Sequence, residues 1–348
     1  MTSTPTSTAT PRRAPLTWTD VPPTTYRRRD RLAWYASVAC WAPSKHNTQP
    51  WRFVVCDGSS LEIWDDPDRG LPATDGNGRE RLLSIGAALH LACVAARALG
   101  YRPHLELFPH GASDLVARLT EAGPWEVSDD DRALLAAVPL RRTDRGPLDA
   151  ASLPPSLPFL LQCAASEQGA TLRLVTGAGD RASLAGLVAR ADRLLASRGE
   201  ADRELLEWLR APGDTRPDGV PTDHTRGAAA SYRAEFVQRD FSAGASVPAQ
   251  NRQGPDHPLV GILCTTGDRS GDWVCAGRAL ASVLLRAATF GAHASYLNQP
   301  LEEPPLRTAL HEQLGLPGSG QLVLRLGIGA AIPATPRRAD PISWEGTS

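Results

Sequence analysis

The spacing of hydrophobic residues near the start of the chain predicts a helix followed by a strand hairpin. Apolar residues recur at helical intervals over residues 30–42, and Pro43 should end that helix. Residues 52–56 and 61–64 are two short apolar runs that are joined through Asp57 and Gly58, which is typical of a hairpin turn. The chain therefore begins its fold with a helix that leads, through a loop at Pro43, into two paired strands.

A longer helix is predicted over residues 79–99, where Gly100 should end it. This helix is apolar on nearly every side and rich in alanine, so we expect it to be buried against a second helix. The sequence contains such a helix, because residues 84–109 align without gaps on residues 275–300 at an offset of 191 residues. The chain therefore resembles a duplication, with a join near residues 129–137.

A polar stretch over residues 211–256 separates the main elements of the second half. An irregular segment of this length is usually either a functional lid or a disordered loop, and Tyr232, Phe236 and Phe241 favour a lid. Residues 322–326 are predicted to be the final strand, followed by a tail that contains proline and arginine. Residues 1–29 are predicted to be a disordered N-terminal tail.

Composition excludes several classes of function. The 348 residues are 42% hydrophobic and 22% charged with a net charge of -1, so no basic excess is available to bind nucleic acid. The apolar run at residues 85–99 is shorter than the roughly 20 residues of a membrane span. We therefore expect a cytoplasmic protein that has neither nucleic-acid nor membrane partners.

Common catalytic and metal-binding motifs do not occur in the sequence. The six cysteines and eight histidines show no metal-ligand spacing, and the single lysine, Lys45, follows serine rather than the glycine of a phosphate-binding loop. Gly327 and Gly329 follow a strand without opening a helix, which excludes a dinucleotide-binding fingerprint. We therefore expect no bound metal and no disulfide framework.

The loop after the first predicted helix carries the most informative motif. Its sequence over residues 42–53 is APSKHNTQPWRF. It resembles the PSxxNxQPW signature of the nitroreductase superfamily, in which this loop meets the ring and ribityl chain of FMN. The resemblance implies an α+β fold and cofactor contacts from Pro43, Ser44, Lys45 and Asn47.

A second motif lies about a hundred residues further on. Arg141, Arg142, Thr143, Asp144 and Arg145 resemble the RxSxR pattern with which the superfamily binds the FMN phosphate. Arginine suits this role because its planar fork of donors binds phosphate oxygens in pairs. The resemblance implies a phosphate clamp of Arg141, Arg142 or Thr143, and Arg145.

The order of the two motifs is the reverse of that in simple nitroreductases, where the arginine pattern comes first and two subunits share each flavin. Residues 30–137 hold the ring loop, and residues 138–348, with the lid at 211–256, hold the arginine pattern. Each half lacks the motif of the other. The arginines at residues 27–29 lie only about fifteen residues before the ring loop, too close for the arginine pattern, and residues 169–173 stand where the second half should have its ring loop. We therefore expect an intramolecular pseudo-dimer with one non-covalent FMN, and a monomer rather than a larger assembly.

Two further segments match parts of the superfamily site. Asn298, Gln299, Pro300 and Leu301 follow the second central helix and resemble the segment whose backbone N–H reaches flavin N5. Arg337 and Arg338 resemble the C-terminal basic pair that closes on the phosphate, and either could make that contact.

The fused layout is similar to that of the Acg family of actinobacterial FMN-binding proteins. Members have one FMN and a lid, and some lack nitroreductase activity. Lys45 stands where simple nitroreductases often have serine, so the sequence does not decide whether this position contacts the flavin ring. His46, in the same loop, is a candidate proton donor.

The resemblance implies an oxidoreductase in which the flavin itself performs the chemistry, so no separate catalytic dyad is needed. The expected reaction moves two electrons from NAD(P)H to a small nitro, quinone or similar acceptor. Two alternatives remain open: a protein that stores or sequesters FMN under a closed lid, and a flavin oxidase of a biosynthetic pathway.

Overall fold

The computed structural model describes residues 26–111, 114–222, 235–239, 256–338 and 342–345. The helices are α1 (Arg28–Ala39), α2 (Arg79–Ala98), α3 (Asp129–Ala137), α4 (Leu157–Ser166), α5 (Ala178–Ala196), α6 (Gly199–Trp208), α7 (Ser270–Ala288), α8 (Gln299–Glu302) and α9 (Pro304–Leu314). The strands are β1 (Trp51–Cys56), β2 (Ser60–Asp65), β3 (Tyr101–Leu107), β4 (Leu115–Pro124), β5 (Thr171–Leu174), β6 (Leu209–Arg210), β7 (Val220–Pro221), β8 (Leu259–Thr265), β9 (His293–Tyr296), β10 (Ser319–Gly327) and β11 (Ile342–Glu345).

The main strands form two sheets: β1 to β4 of the first half together with β11 form one, and strands of the second half form the other. The first sheet has the order β11-β1-β2-β4-β3, and the second has the order β5-β8-β10-β9. Helices α1 and α2 pack on the first sheet, and α4 and α7 pack on one face of the second. Helices α5, α8 and α9 cover the other face of the second sheet. The α+β class predicted from the sequence is therefore confirmed.

The two long helices α2 and α7 cross at the centre of the molecule, backbone against backbone. A Cβ added at Gly86 would lie 2.2 Å from the carbonyl oxygen of Val274, and one added at Gly277 would lie 2.0 Å from that of Leu83. The predicted offset of 191 residues relates Gly86 to Gly277 and also Leu83 to Val274. The contact is thus reciprocal, as at the interface of a two-fold dimer.

Helix α2 is long and apolar enough to cross a membrane by length and composition alone, but most of it is buried inside the protein. Its neighbours are α1 and α7, and its residues from Ile85 to Ala96 belong largely to the central apolar cluster. This burial is what the sequence predicted for a central helix, and it is the usual state of a core helix in a folded domain.

The elements differ from the predictions at several boundaries. Helix α1 begins at Arg28 and ends at Ala39, two residues earlier than predicted at its start and three at its end, with a turn over residues 40–42. The first 25 residues of the predicted tail lie outside the described part of the chain. Helix α3 occupies the predicted join. Of the predicted lid, Tyr232 and Phe241 lie outside the described residues, whereas Phe236 is buried against α5.

The prediction that the strand at residues 322–326 is the last one is wrong. Strand β10 covers these residues, but β11 follows it and pairs in parallel with β1 of the first half. Four residues in a proline-containing tail carry too weak a pattern to predict a strand, and here the open edge of β1 supplies the partner. The C-terminal segment thus returns from the second sheet to the first.

We expect Gly277→Ala to destabilise the protein by about 1–3 kcal/mol or more, because the added methyl group meets backbone that cannot turn away. Urea unfolding measures the change. Gly186→Ala, in the middle of α5, is the matched control: nothing lies within 4 Å of its added Cβ, and we expect a gain of about 0.5–1 kcal/mol. Equal effects of the two substitutions would contradict the close crossing.

Candidate active site

The loop after α1 has an unusual backbone that its own hydrogen bonds maintain. His46, Asn47 and Gln49 have positive φ angles of 48°, 55° and 52°, a region that residues other than glycine seldom adopt. The backbone N–H of Gln49 donates to the Ser44 hydroxyl at 2.9 Å. Such strain persists where the surrounding structure fixes it, and it is common at functional sites.

Two amide side chains of this loop join segments that are far away in sequence. Asn47 Nδ2 donates to the carbonyl oxygens of Gly219 at 3.0 Å and Pro336 at 3.2 Å. Gln49 Nε2 donates to the Pro217 carbonyl at 2.8 Å. The loop thus connects the start of the predicted lid with the C-terminal segment.

The loop forms one wall of a large cavity between the two halves. The empty space of the cavity, together with the open solvent at its mouth, is about 1330 Å³. Twelve of the residues that the sequence singled out line it: Pro43, Ser44, Lys45, His46, Asn47, Arg141, Arg142, Thr143, Arg145, Asn298, Gln299 and Arg337. The structure therefore brings the two motifs together from opposite halves of the chain.

Three predicted residues do not line this cavity. Pro300 and Leu301 are buried in α8, and the backbone N–H of Leu301 donates to the Asn298 carbonyl at 2.8 Å. The Arg338 guanidinium donates to the Gln49 carbonyl at 3.0 Å, and its backbone N–H donates to Gln49 Oε1 at 2.9 Å. Of the two candidate C-terminal arginines, Arg337 is therefore the one that borders the cavity.

One end of the cavity gathers four arginines. Arg141 and Arg337 both donate to the carbonyl oxygen of Trp41, at 3.4 Å and 3.3 Å. Arg142 donates to the carbonyls of Pro139 at 2.5 Å and Ile332 at 3.2 Å. Within the described part of the chain, no carboxylate forms an ion pair with Arg141, Arg142 or Arg337. Their partners are neutral oxygens, so their charges are not compensated.

Burial makes these charges unfavourable. Burial, and after it the nearby charges of Arg141 and Arg142, lower the pKa of Arg337 to about 9. Burial likewise lowers the pKa of Arg145 to about 10 and shifts that of Arg141 downward. An anion at this end would remove the penalty, because an opposite charge favours the charged form of each guanidinium. This end of the cavity is therefore positively charged.

The opposite end carries a cluster of paired charges, most of which the sequence analysis missed. The Lys45 ammonium contacts the Glu80 carboxylate and lies 3.1 Å from Glu302 Oε1. Arg239, from the described part of the predicted lid, lies 3.3 Å from Glu302. No local pattern in the sequence joins Glu302 to Arg239. This end is close to electrically neutral.

The other residues that line the cavity carry no formal charge. Leu83, Leu280 and Leu322 contribute aliphatic surface from α2, α7 and β10. Ser84, Ser295, Tyr296, Val220, Gln238, Ile332, Pro333 and Thr335 also line it. Sequence reasoning did not find these residues, because they lie on separate elements without a shared motif.

His46 borders the cavity as a neutral imidazole. Burial lowers its pKa well below the ordinary value, and the charges of Arg239, Lys45 and Arg145 lower it further. An imidazole that stays neutral at pH 7 has no spare proton to give. Its role as a proton donor stays a prediction, and this environment disfavours it.

Curated relatives match nearly the whole chain. A Mycobacterium tuberculosis protein provisionally named NAD(P)H nitroreductase Rv3131 is 35% identical over 316 residues, which cover 88% of this chain and 90% of that protein. A second, provisionally named NAD(P)H nitroreductase acg, is 31% identical over 323 residues, with 91% and 96% coverage. No protein-family model matches the chain.

Solved structures were also compared. A Bacteroides fragilis nitroreductase with bound FMN is 15% identical; the match covers 60% of this chain and 97% of that one, with a TM-score of 0.38. A Vibrio harveyi NADPH:FMN oxidoreductase complexed with NAD+ is 12% identical, with 59% and 73% coverage and a TM-score of 0.34.

We expect inorganic phosphate to raise the melting temperature of the ligand-free protein, because it binds the native arginine site only. Arg337→Met should lose much of this rise, whereas Arg338→Met, next in the chain but outside the cavity, should keep it. Equal phosphate responses in both variants would contradict the assignment.

Proposed function

The chain belongs to the nitroreductase superfamily, in the group that contains the Acg protein, and on that basis we propose that it binds one FMN in the cavity between its halves. We further propose that it is an oxidoreductase that moves two electrons from NAD(P)H to a small nitro, quinone or similar acceptor. We take NAD(P)H as the electron donor because it stands in the names of the relatives, and we argue for FMN as the cofactor from the residues of the cavity.

The observation that carries the proposal is the set of unsatisfied guanidinium atoms at the arginine end. Arg141 Nε, Arg141 Nη1 and Arg337 Nε are buried nitrogens without an acceptor among the described residues. A phosphate group offers three acceptor oxygens and a charge near -2, which fits several such donors at once. Arg141, Arg142, Arg145 and Arg337 would hold the phosphate, and Thr143 would add its hydroxyl.

The remainder of the cavity suits a flat aromatic ring. Leu83, Leu280 and Leu322 offer apolar surface, and Pro43 and Ser44 lie in the loop that the superfamily uses against the ribityl chain. The N–H that would reach flavin N5 is expected between Gln299 and Leu301. Pro300 has no N–H, and the N–H of Leu301 already donates to the Asn298 carbonyl, which leaves Gln299 as the donor. The backbone N–H of Gln299, at the start of α8, has no acceptor within that helix and would face the ring.

When bound, FMN would supply the redox chemistry, by accepting a hydride and returning two electrons to an acceptor. The chain's own residues would bind the phosphate, orient the ring and exclude water. Because each half supplies part of the same cavity, one chain is sufficient for a complete site, and we propose that a monomer is functional.

The two-fold relation of α2 and α7 defines a second position that is equivalent to the proposed FMN site. Ser84 lines the cavity, and the same offset relates it to Cys275. At that second position the chain's own groups fill the space: Cys275 Sγ lies 2.8 Å from the Gln168 carbonyl, and Arg278 donates to Gln168 Oε1 at 2.8 Å. His90 is buried beside them. We therefore propose that the second flavin site of an ordinary dimer is closed here.

A second candidate function is FMN sequestration. Gln238 and Arg239 of the predicted lid line the cavity, and the ion pair of Arg239 with Glu302 holds them there. If this contact persists with FMN bound, it would keep a nicotinamide from reaching the ring. The two functions share the binding site and differ in access to it.

Anaerobic mixing with NADPH distinguishes these functions. We expect NADPH to bleach the absorption of the bound flavin near 450 nm within the time of enzyme turnover, about seconds or less. Arg239→Gln should bleach faster than the wild type if lid contact limits access. A flavin that stays oxidised under NADPH and under NADH, but that dithionite reduces, would contradict the reductase assignment and support sequestration. Reduction only by an organic substrate would indicate an oxidase.

A further inference from the structure

The ammonium of Lys45 is held by oxygens of the chain itself. It forms ion pairs with Glu80 and, at 3.1 Å, with Glu302 Oε1, and it donates to the Thr74 carbonyl at 3.0 Å. Lys45 lies in the loop that lines the cavity, but its charge is directed to two carboxylates.

Both carboxylates that hold Lys45 also hold the segment from Asn298 to Glu302. Glu302 is the last residue of α8. At the other end of the segment, Asn298 Nδ2 donates to Glu80 Oε1 at 3.3 Å, and Asn298 Oδ1 accepts the backbone N–H of Val323 at 3.0 Å. Lys45 of the first half thus connects, through two carboxylates, to both ends of the segment that borders the ring position.

The cluster is buried and its charges depend on one another. Burial opposes the charge on Lys45, but Glu302 and Glu80 outweigh it and raise its pKa. Burial also opposes the charge on Glu80, but Lys45 and Arg79 outweigh it and lower its pKa. Burial and the nearby Glu80 raise the pKa of Asp75 to about 6. The charged and titratable groups of the cluster are Lys45, His46, Asp75, Arg79, Glu80, Arg239 and Glu302.

We propose that Lys45 is a positioning residue that fixes the segment Asn298–Glu302 against the flavin ring by keeping Glu80 and Glu302 charged and paired. The inference rests on the proposed function, since it concerns the segment whose N–H would face the bound FMN. It assigns Lys45 an indirect role: the ammonium orders the residues that contact the ring.

Removing the ammonium has a specific electrostatic consequence. Lys45→Met leaves Glu80 paired with Arg79 and Glu302 paired with Arg239, without the cation that lies between the two carboxylates. The buried cluster then carries one more negative charge than in the wild type, and a lower pH favours uptake of a proton that offsets it. At higher pH the added negative charge disfavours adding electrons to the flavin. The segment that holds the N5 donor also loses its support from the first half.

The test is the midpoint potential of bound FMN, measured on the holoprotein by dye equilibration from pH 5.5 to 8.5. We expect the potential of Lys45→Met to lie below that of the wild type at pH 8, and the gap to narrow as pH falls. Lys45→Met/Glu302→Gln restores the charge balance and should close most of the gap at pH 8. Arg31→Met is the matched control, because Arg31 is a buried cation that pairs with Glu121 at 2.6 Å outside the cavity; its potential should match the wild type at every pH.

A purely structural role for Lys45 would lower the melting temperature without a pH-dependent change in potential. A holo Lys45→Met protein with the potential and pH profile of the wild type therefore overturns the inference and leaves the proposed function in place. If Lys45→Met does not fold, Glu302→Gln alone decides: a potential above that of the wild type supports the inference, and an unchanged one overturns it. A wild-type protein that binds no FMN overturns the proposed function itself.

Discussion

The close crossing of α2 and α7 at Gly86 and Gly277 determines how the two halves meet. Because no Cβ fits at either position, the two backbones approach until the carbonyl of one helix touches the glycine of the other. This contact is reciprocal under the 191-residue offset, so it orients the halves as a two-fold pair. It thereby places the loop after α1 beside the arginines that follow α3. The C-terminal segment, which carries Arg337, completes the same cavity and then pairs with β1 through β11.

The two ends of the cavity differ in whether their buried charges have partners of opposite charge. At the arginine end, the guanidiniums of Arg141, Arg142 and Arg337 have only neutral partners among the residues that the structure describes, so the ligand-free protein carries an electrostatic penalty that a phosphate would relieve. At the Lys45 end, each buried charge has an opposite partner, so no ligand charge is required there. This contrast explains how a single cavity can select a ligand that is anionic at one end and uncharged at the other. It also explains why single substitutions should act differently at the two ends: loss of an arginine weakens binding, whereas loss of Lys45 creates a new buried imbalance.

The sequence was most informative where a local motif carries the function. The loop at residues 42–53 and the arginine pattern at 141–145 could each be recognised from a few adjacent residues, and the repeat indicated that they belong to opposite halves. Interactions between distant segments could not be predicted in this way. The pairing of Lys45 with Glu302, the approach of Arg239 and the addition of β11 to the edge of β1 depend on tertiary geometry. Arg337 could be identified as the arginine of the cavity only because Gln49 binds Arg338 elsewhere. Gln299 could be identified as the N5 donor only because the N–H of Leu301 already donates to Asn298.

The central claim is that one FMN binds where the two halves meet, and fluorescence titration of the ligand-free protein with FMN tests it most directly. The account predicts saturation at one FMN per chain for the wild type. For the Arg141→Ala/Arg145→Ala double variant it predicts affinity lower by about 100-fold or more, since each lost charged hydrogen bond is worth roughly 1.5–3 kcal/mol. No binding to the wild type, two FMN molecules per chain, or equal affinity in the double variant would each contradict it.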